Sequence, residues 1–384
     1  MDKKEVLIVA SHFSPNFGGV ETHLNDLVRA LAKREWNVYV ATYKPLARNI
    51  KVPFVEKKKR LGIYRMPWLG FNIVHRLTPY PILEFIYLFP GLFVLTGYVL
   101  LTKRDIKVLH AQGLVPAVIS ILWGKILRKR VIVSTHNLYF FPKSGLYKDF
   151  SKVVFSNADE VLCLSQQSQE EMARIGVPSE KLKPFRYWLN LDLFKKVNKN
   201  VAKKNLELSG RFVVFFVGRL IETKGVLVLL DSSKKKSCKD ITFVIGGDGP
   251  LAAEVQCFAD KNENIKYAGY LTQDKVMSYM NAADIVAVPS LVDEGYGRVA
   301  MEAIACGTPV LAAKRGGLSE VVVSEIGRLI EPTADEYSKH LSFFKKNRKL
   351  LDTLSRRARK YALDKFGEKN VESIIFAYQN KVLQ

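Results

Sequence analysis

Short apolar runs alternate with longer helix-patterned segments along this chain, and that alternation restricts the fold more than any other feature. Residues 6–10 read as a buried strand, Val20, Leu24, Leu27, Val28 and Leu31 recur at the spacing of one helix face, and residues 37–42 read as a second strand. That is a βαβ unit. Further strand-like runs at 63–66, 108–110, 131–134 and 160–164 are separated by stretches long enough for crossover helices, as parallel pairing demands. A Lys- and Asn-rich stretch, 195–210, either connects two halves or opens the second. The alternation then restarts at 212–217, 241–245, 265–268, 285–288 and 310–313, and residues 336–382 favour helix, with Phe366, Val371, Ile374, Ile375 and Tyr378 at near-helical spacing. A chain of 384 residues holds two domains at about 100–200 residues each. The expectation is an α/β protein with two Rossmann-like, doubly wound parallel-sheet domains, residues 1–187 and 188–362, followed by a terminal helix over 363–384. Such sheets bind ligands beyond the carboxyl ends of their strands, which places the expected active site in a central cleft that the two domains face.

Charge narrows the partners. The chain carries 59 Lys and Arg against 37 Asp and Glu, a formal +22, which favours nucleic acid, anionic lipid headgroups or phosphorylated substrates. Residues 1–187 hold 28 basic and 14 acidic side chains, so the front half carries most of the excess. The basic residues are scattered and no helix-turn-helix, zinc-finger or RNA-binding signature accompanies them, so nucleic acid is not an expected partner. Cys163, Cys238, Cys257 and Cys306 lie far apart with no C-x-x-C pair, which suggests neither a zinc site nor a disulfide framework and fits a reducing cytoplasm. The apolar run at 6–10 is too short for the core of a signal peptide.

Between Glu84 and Lys103 lie 18 uncharged residues, nearly the length of a membrane span. If the strand-like runs on either side share one sheet, both must lie on one side of a bilayer, and a single span would separate them. Pro90, Gly91 and Gly97 also disfavour a straight spanning helix. Residues 85–102 are therefore expected to be buried or to dip into a membrane interface through Phe89, Leu92 and Phe93, near basic clusters at 57–60 and 128–130.

Three loops carry the chemistry. Gly18 and Gly19 stand between a strand and a helix start, where close backbone approach and the partial positive charge of a helix N-terminus suit a phosphate. A tight turn without a ligand is the other reading of those two residues. Arg219 and Lys224 leave strand 212–217 on one loop and offer a planar fork and a point charge, which is equipment for a diphosphate. After strand 285–288, Glu294, Gly295, Tyr296, Gly297, Arg298 and Val299 lead into a helix that carries Glu302 and stops near Gly307. Two carboxylates on either side of an anion-binding loop suit sugar and ribose hydroxyls. An apolar helix does not bury Glu302 without a partner.

These residues resemble a known family. Glu294 and Glu302 match an E-x7-E signature, followed by Ala305-Cys306-Gly307-Thr308-Pro309-Val310 and Gly316-Gly317. Gly18-Gly19-Val20-Glu21, His136, Ala158-Asp159-Glu160, Gly218-Arg219 with Lys224, Gly246-Gly247-Asp248-Gly249-Pro250 and Ala283-Asp284-Ile285 follow in family order. The chain resembles the retaining, nucleotide-sugar-dependent glycosyltransferases of the GT-B fold, glycosyltransferase family 4. The resemblance implies that Arg219 and Lys224 bind the donor diphosphate, that Glu302 binds ribose, and that Glu294 with the 295–299 loop contacts donor sugar and phosphate. It also places Gly19 near the reacting centre and His136 on the donor sugar, and returns the terminal helix to the first domain. His136, Glu294, Arg219 and Lys224 are the implied catalytic set. No metal or other cofactor is expected beyond the nucleoside-diphosphate sugar, since cationic side chains and helix N-termini replace the cation. Two departures stand out: Asn190 where relatives carry an acid, within Phe185-Arg186-Tyr187-Trp188-Leu189-Asn190, and no Trp near Phe366.

The expected activity is retaining transfer of a sugar to a hydroxyl of a lipid-linked saccharide or phospholipid headgroup, by a cytoplasmic protein held peripherally at the membrane. The readings weighed against it are a soluble acceptor, an epimerase or phosphorylase of the same fold, and a basic nucleic-acid-binding protein. His110 and Gln112, at a strand end, are left between structural and acceptor-side roles.

Overall fold

The computed structural model describes residues 4–16, 18–46, 50–70, 73–77 and 80–380. Two compact units emerge, Met1–Trp188 with Glu368–Gln384, and Leu189–Gly367.

The first unit runs β1 (Glu5–Ala10), α1 (Gly19–Lys33), β2 (Asn37–Tyr43), β3 (Val55–Lys58), β4 (Leu61–Met66), α2 (Ile73–Leu77), α3 (Pro81–Thr102), β5 (Val108–Gln112), α4 (Leu114–Leu127), β6 (Arg130–Thr135), α5 (Leu146–Ser156), β7 (Glu160–Cys163), α6 (Gln166–Arg174) and β8 (Leu182–Pro184). Its strands lie in the order β3-β4-β2-β1-β5-β6-β7-β8, with only β3 antiparallel to its neighbour. All six residues of β1 are buried, because helices cover both faces of a parallel sheet. Leu7 and Val9 share a core cluster with Leu92, Leu95 and Val99 of α3 and with Ile119 of α4.

The second unit runs α7 (Lys199–Asn205), β9 (Phe212–Val217), α8 (Val226–Ser233), β10 (Ile241–Gly246), α9 (Ala252–Lys261), β11 (Ile265–Gly269), α10 (Gln273–Ala282), β12 (Ile285–Val288), α11 (Arg298–Ala305), β13 (Val310–Ala313), α12 (Leu318–Val321), β14 (Gly327–Ile330), α13 (Ala334–Lys346) and α14 (Arg348–Lys365). Its strands are all parallel, in the order β11-β10-β9-β12-β13-β14. The Lys-rich stretch opens this unit: α7 sends Lys203 to the buried Asp284 at 2.6 Å.

A last helix, α15 (Glu372–Gln379), packs on the first unit. Its Tyr378 hydroxyl lies 2.7 Å from His110 Nδ1, and Glu368, just before it, accepts from Lys33 and Arg34 of α1 at 2.8 and 2.9 Å. The boundary expected at 362/363 falls inside the last turns of α14. There Phe366 is buried against Tyr361 and its carbonyl accepts from Leu189 N at 3.0 Å, so the crossing comes at 367/368.

The apolar segment is one continuous helix across Pro90. Proline removes an N–H and disturbs the turn before it. Here the Tyr43 hydroxyl enters the ladder on the rung that spans the proline, donating to Leu88 O and accepting from Leu92 N at 2.8 Å, so those two backbone groups stay satisfied. Gly97 is where α3 meets α4: a Cβ there would lie 2.3 Å from the Trp123 ring. Both β4 and β5 belong to the first sheet, and 44% of the helix's 18-residue apolar window is buried inside the protein. Leu92 is buried and Phe89 and Phe93 are half-buried, Phe93 stacking on Trp123 at 5.1 Å, so these three do not form the outward face. Leu83, Ile86, Val94, Tyr98 and Leu101 do, at three- and four-residue spacing with the exposed Pro90 between Ile86 and Val94.

Candidate functional site

Strand order locates the sites. In a doubly wound sheet the loops part where the order reverses, leaving a crevice at the strands' carboxyl ends. In the second unit that point lies between β9 and β12, the strands whose loops carry Arg219 with Lys224 and Glu294 with residues 295–299.

The two loops are locked together. Leu291 N donates to Thr223 O at 2.9 Å, and Gly225 adopts φ +69°, where a Cβ would lie 1.9 Å from Pro289 O. Only glycine fits that approach. Lys224, one residue earlier, consequently meets Glu294: Nζ donates to Oε1 at 2.5 Å, and Ser290 Oγ donates to the same oxygen. The Glu294 backbone is pinned from the next loop, where Gly317 N donates to its carbonyl at 2.8 Å. Arg219 is exposed and makes no side-chain hydrogen bond or ion pair among the described residues. Helix α11 follows Gly297, at φ 89°, without a side-chain cap, so its first N–H groups remain for a ligand. Glu302 has the partner its burial demands: its Oε1 accepts from Arg298 Nε at 3.0 Å, and its side chain keeps 13% exposure. Tyr296 is buried.

In the first unit the order reverses between β1 and β5. Gly18 precedes α1 without a side-chain cap, and a Cβ on Gly19 would meet nothing within 4 Å, so that backbone faces open space. Phe17, in the same loop, lies outside the described residues.

His136 follows β6 and is 7% exposed. Its state is set by a chain of forced choices. The His110 carbonyl only accepts, so the Gln112 amide N–H faces it at 3.3 Å and Gln112 Oε1 faces His136 Nε2 at 2.6 Å. His136 Nε2 therefore carries the proton, and Nδ1 must accept from the Tyr187 hydroxyl at 2.8 Å. Burial pushes the imidazole pKa of both His136 and His110 down to about 3, so both are neutral.

The segment that departs from the family pattern builds the surroundings. Tyr187 stacks on His23 at 4.1 Å, Trp188 meets it edge-on at 4.8 Å, and Phe185 stands 5.9 Å from both imidazoles. Sequence reasoning noted this segment as a departure but missed that it clasps His136. Arg65, also missed, is buried on β4 and donates from Nη2 to Ser14 O at 3.1 Å, bracing the loop before Gly18. A lone arginine in a strand-like run gives no signal of that reach.

Other motif residues are structural. Asp284 accepts from Val213 N at 2.8 Å, and Asp159 accepts from Val131 N at 2.6 Å, so each acid docks the strand after it onto its neighbour. Gly247 N donates to Gly269 O, and Asp248 O accepts from Leu220 N, which braces the Arg219 loop.

Two α/β units, each with glycine-bearing loops at the switch point of a largely parallel sheet, match the GT-B architecture. Comparison with known proteins agrees. The family model described as "Glycosyltransferase Family 4" matches residues 17–185, and that described as "Glycosyl transferases group 1" matches residues 197–361. The gpi3 subunit of phosphatidylinositol N-acetylglucosaminyltransferase from Schizosaccharomyces pombe is 25% identical over 345 residues, 87% of this chain and 71% of that one. In fold the chain is similar to sucrose-phosphate synthase from Thermosynechococcus elongatus, with TM-score 0.81, 21% identity and 98% of each chain covered. It is also similar to Anabaena HepE in complex with UDP, with TM-score 0.74, 20% identity and coverage of 97% and 98%. The chain belongs to the GT-B glycosyltransferases, glycosyltransferase family 4.

Proposed function

We propose that this glycosyltransferase moves a sugar from a nucleoside-diphosphate donor to a hydroxyl of a membrane-associated acceptor, with retention of anomeric configuration and without a metal. The observation that carries the donor assignment is the Lys224–Glu294 pair beside Arg219 and the uncapped α11 N-terminus. Lys224, Arg219 and the amides of residues 295–299 take the diphosphate, Glu302 the ribose, and Glu294 the sugar hydroxyls. His136 and Gly19 are assigned to the sugar side, with Gly18 shaping the loop. In the proposed step the bond from the anomeric carbon to the phosphate oxygen breaks and a bond to the acceptor oxygen forms on the same face. The leaving phosphate takes the acceptor's proton, and the nucleoside diphosphate departs with its charge met by the cationic side chains and helix amides. HepE was solved with UDP bound, which supports a nucleotide donor.

The membrane side rests on the outward stripe of α3. Leu83, Ile86, Val94, Tyr98 and Leu101 form an uncharged line about 27 Å long at 1.5 Å per residue. The outward faces of α4 and α5 add Leu122, Ile126, Phe150 and Val153, with Lys125 and Lys152 exposed among them. An apolar face rimmed by lysines is the composition of an interfacial surface. The S. pombe relative is, by its name, part of a transferase acting on phosphatidylinositol, which supports a lipid acceptor.

Thermal shift against UDP, GDP and ADP, with and without EDTA, tests the donor site. One nucleotide at 100 times its dissociation constant should stabilise by about 2.7 kcal/mol, undiminished by chelator and lost in Lys224→Ala. Flotation with anionic vesicles tests the surface: Leu83→Gln with Ile86→Gln and Val94→Gln should stay in solution while wild type floats. Equal flotation would overturn this stripe as the membrane face, and a wild type that does not float would point to a soluble acceptor.

A further inference from the structure

The edge of the first sheet holds a polar cavity of about 510 Å3, lined by Val55, Lys57, Tyr64, Tyr98, Thr102 and Lys103. Val55 and Lys57 stand on the antiparallel edge strand β3, Tyr64 on β4, Tyr98 and Thr102 on α3, and Lys103 caps α3. Lys57 pairs in register with Gly62, near the start of β4, and Lys103 precedes β5, so the cavity lies toward the strands' amino ends. Gly18, Gly19 and His136 stand at the other end of the same sheet.

The lining has no carboxylate. Neither Lys57 nor Lys103 has an ion pair among the described residues, and the neighbouring Glu56 is taken by Lys58 at 2.7 Å and Arg65 at 2.9 Å. Lys103 Nζ lies 5.7 Å from the Tyr39 ring centroid, which keeps its stem against the sheet. Burial raises the Tyr64 phenol, leaving it a protonated donor. Two lysines without an ion pair among the described residues and two phenols line one space, a set of donors that suits a phosphate. The outward stripe of α3 ends at this cavity, and Tyr98 belongs to both. A free phosphate satisfies only the cavity, whereas a phospholipid satisfies the cavity with its headgroup and the stripe with its acyl chains.

We propose that the cavity formed by Lys57, Lys103, Tyr64 and Tyr98 binds the phosphate of an anionic phospholipid, as an anchor separate from the transfer site. The proposal rests on the membrane reading of α3 and adds that the lipid held here is not the one glycosylated.

The test is co-flotation with vesicles of phosphatidylcholine alone and of phosphatidylcholine with phosphatidylglycerol, at fixed ionic strength. Lys57→Gln with Lys103→Gln is compared with Lys236→Gln and Lys239→Gln, exposed lysines of the second unit that remove the same charge. At about 1 kcal/mol per lysine near an anionic surface, the first double variant should lose roughly thirtyfold in binding to the anionic vesicles. The second should lose less than about twofold, and both should keep wild-type donor hydrolysis and unfolding midpoint. Equal loss in both doubles would mean diffuse charge and overturn the anchor. Glycerol phosphate that raises the wild-type midpoint but not that of Lys57→Gln with Lys103→Gln, while both proteins float equally with the anionic vesicles, would assign the cavity to a soluble phosphate and likewise overturn it. Wild type that floats with neither vesicle defeats this anchor and the membrane reading together, while nucleotide-dependent stabilisation still tests the transferase by itself.

Discussion

Lys224 holds Glu294 in place, and the proposed donor site gives it a second task, to meet the charge of the diphosphate. If that proposal holds, replacing Lys224 with Ala should lower transfer by about 10²–10³ in kcat, as for loss of one preorganised charge-stabilising donor. The pair is partly exposed, with Glu294 also bonded to Ser290, so its unfolding midpoint should barely move. Tyr187 acts at one remove, as a positioning residue that fills His136 Nδ1. Gln112, whose Oε1 accepts from Nε2, holds the tautomer together with it, so Tyr187→Phe with Gln112→Met should release the tautomer and lower kcat with little change in KM, and 15N NMR should show the Nε2–H form in wild type and a mixture in the double variant. A single unchanged tautomer would rule out this role. The neutral histidines also predict a pH effect. Because folding lowers the pKa of His110 and His136 from 6.5 to about 3, the unfolded chain binds more protons below pH 6.5. Their contribution is complete above that pH and declines as the medium is acidified toward about 3. At pH 5 each should cost about 2 kcal/mol relative to pH 7.5, readable as a lower urea midpoint that His110→Gln partly restores.

Helix α3 shows how an element acquires a shape that its composition argues against. Pro90 and Gly91 disfavour a straight helix, but the Tyr43 hydroxyl on β2 bridges the rung between Leu92 N and Leu88 O, and the helix persists to Thr102. Its closeness to α4 depends on Gly97, where the Trp123 ring occupies the side-chain position. Gly97→Leu should overpack this contact and destabilise by about 1–3 kcal/mol, seen in denaturant unfolding, and Trp123 fluorescence should report the displaced ring. An unchanged emission would place the helices farther apart than described. Three of the four edge strands, β3, β8 and β14, escape the periodicity, while β11 shows in it at 265–268. β3 reads VEKK, with one apolar residue in four, because an edge strand keeps one side wet and its polar residues resist unwanted pairing. β8 has three residues, one of them Pro184, and β14 carries Arg328 within four, so neither offers an apolar run.

At the scale of the molecule, the chain's last helix closes its first unit. Arg130 Nε donates to Ala377 O at 2.9 Å, Asn370 donates to Tyr187 O at 3.0 Å, and Tyr378 serves His110, whose other nitrogen faces Ser134 Oγ at 2.7 Å. Tyr378→Phe leaves a buried imidazole nitrogen without its partner and should cost about 1–3 kcal/mol, measured as a shift in the first unit's unfolding. Residues more than two hundred positions apart thus share one polar network. Nothing in local pattern announces such a partner. What local pattern did carry was the order of buried strands and covering helices, the glycine-marked loops after them, Arg219, Lys224 and Glu294 on those loops, and Glu302 on the helix that follows. Burial repeats with the period of an element, so the residues on one strand or helix record it by their own spacing. Which hydroxyl meets His136, what mends the turn at Pro90 and which amine neutralises Glu294 were settled only when distant segments packed. A polar group's partner is chosen by three-dimensional proximity and the cost of leaving it unpaired, and neither quantity has a period along the chain.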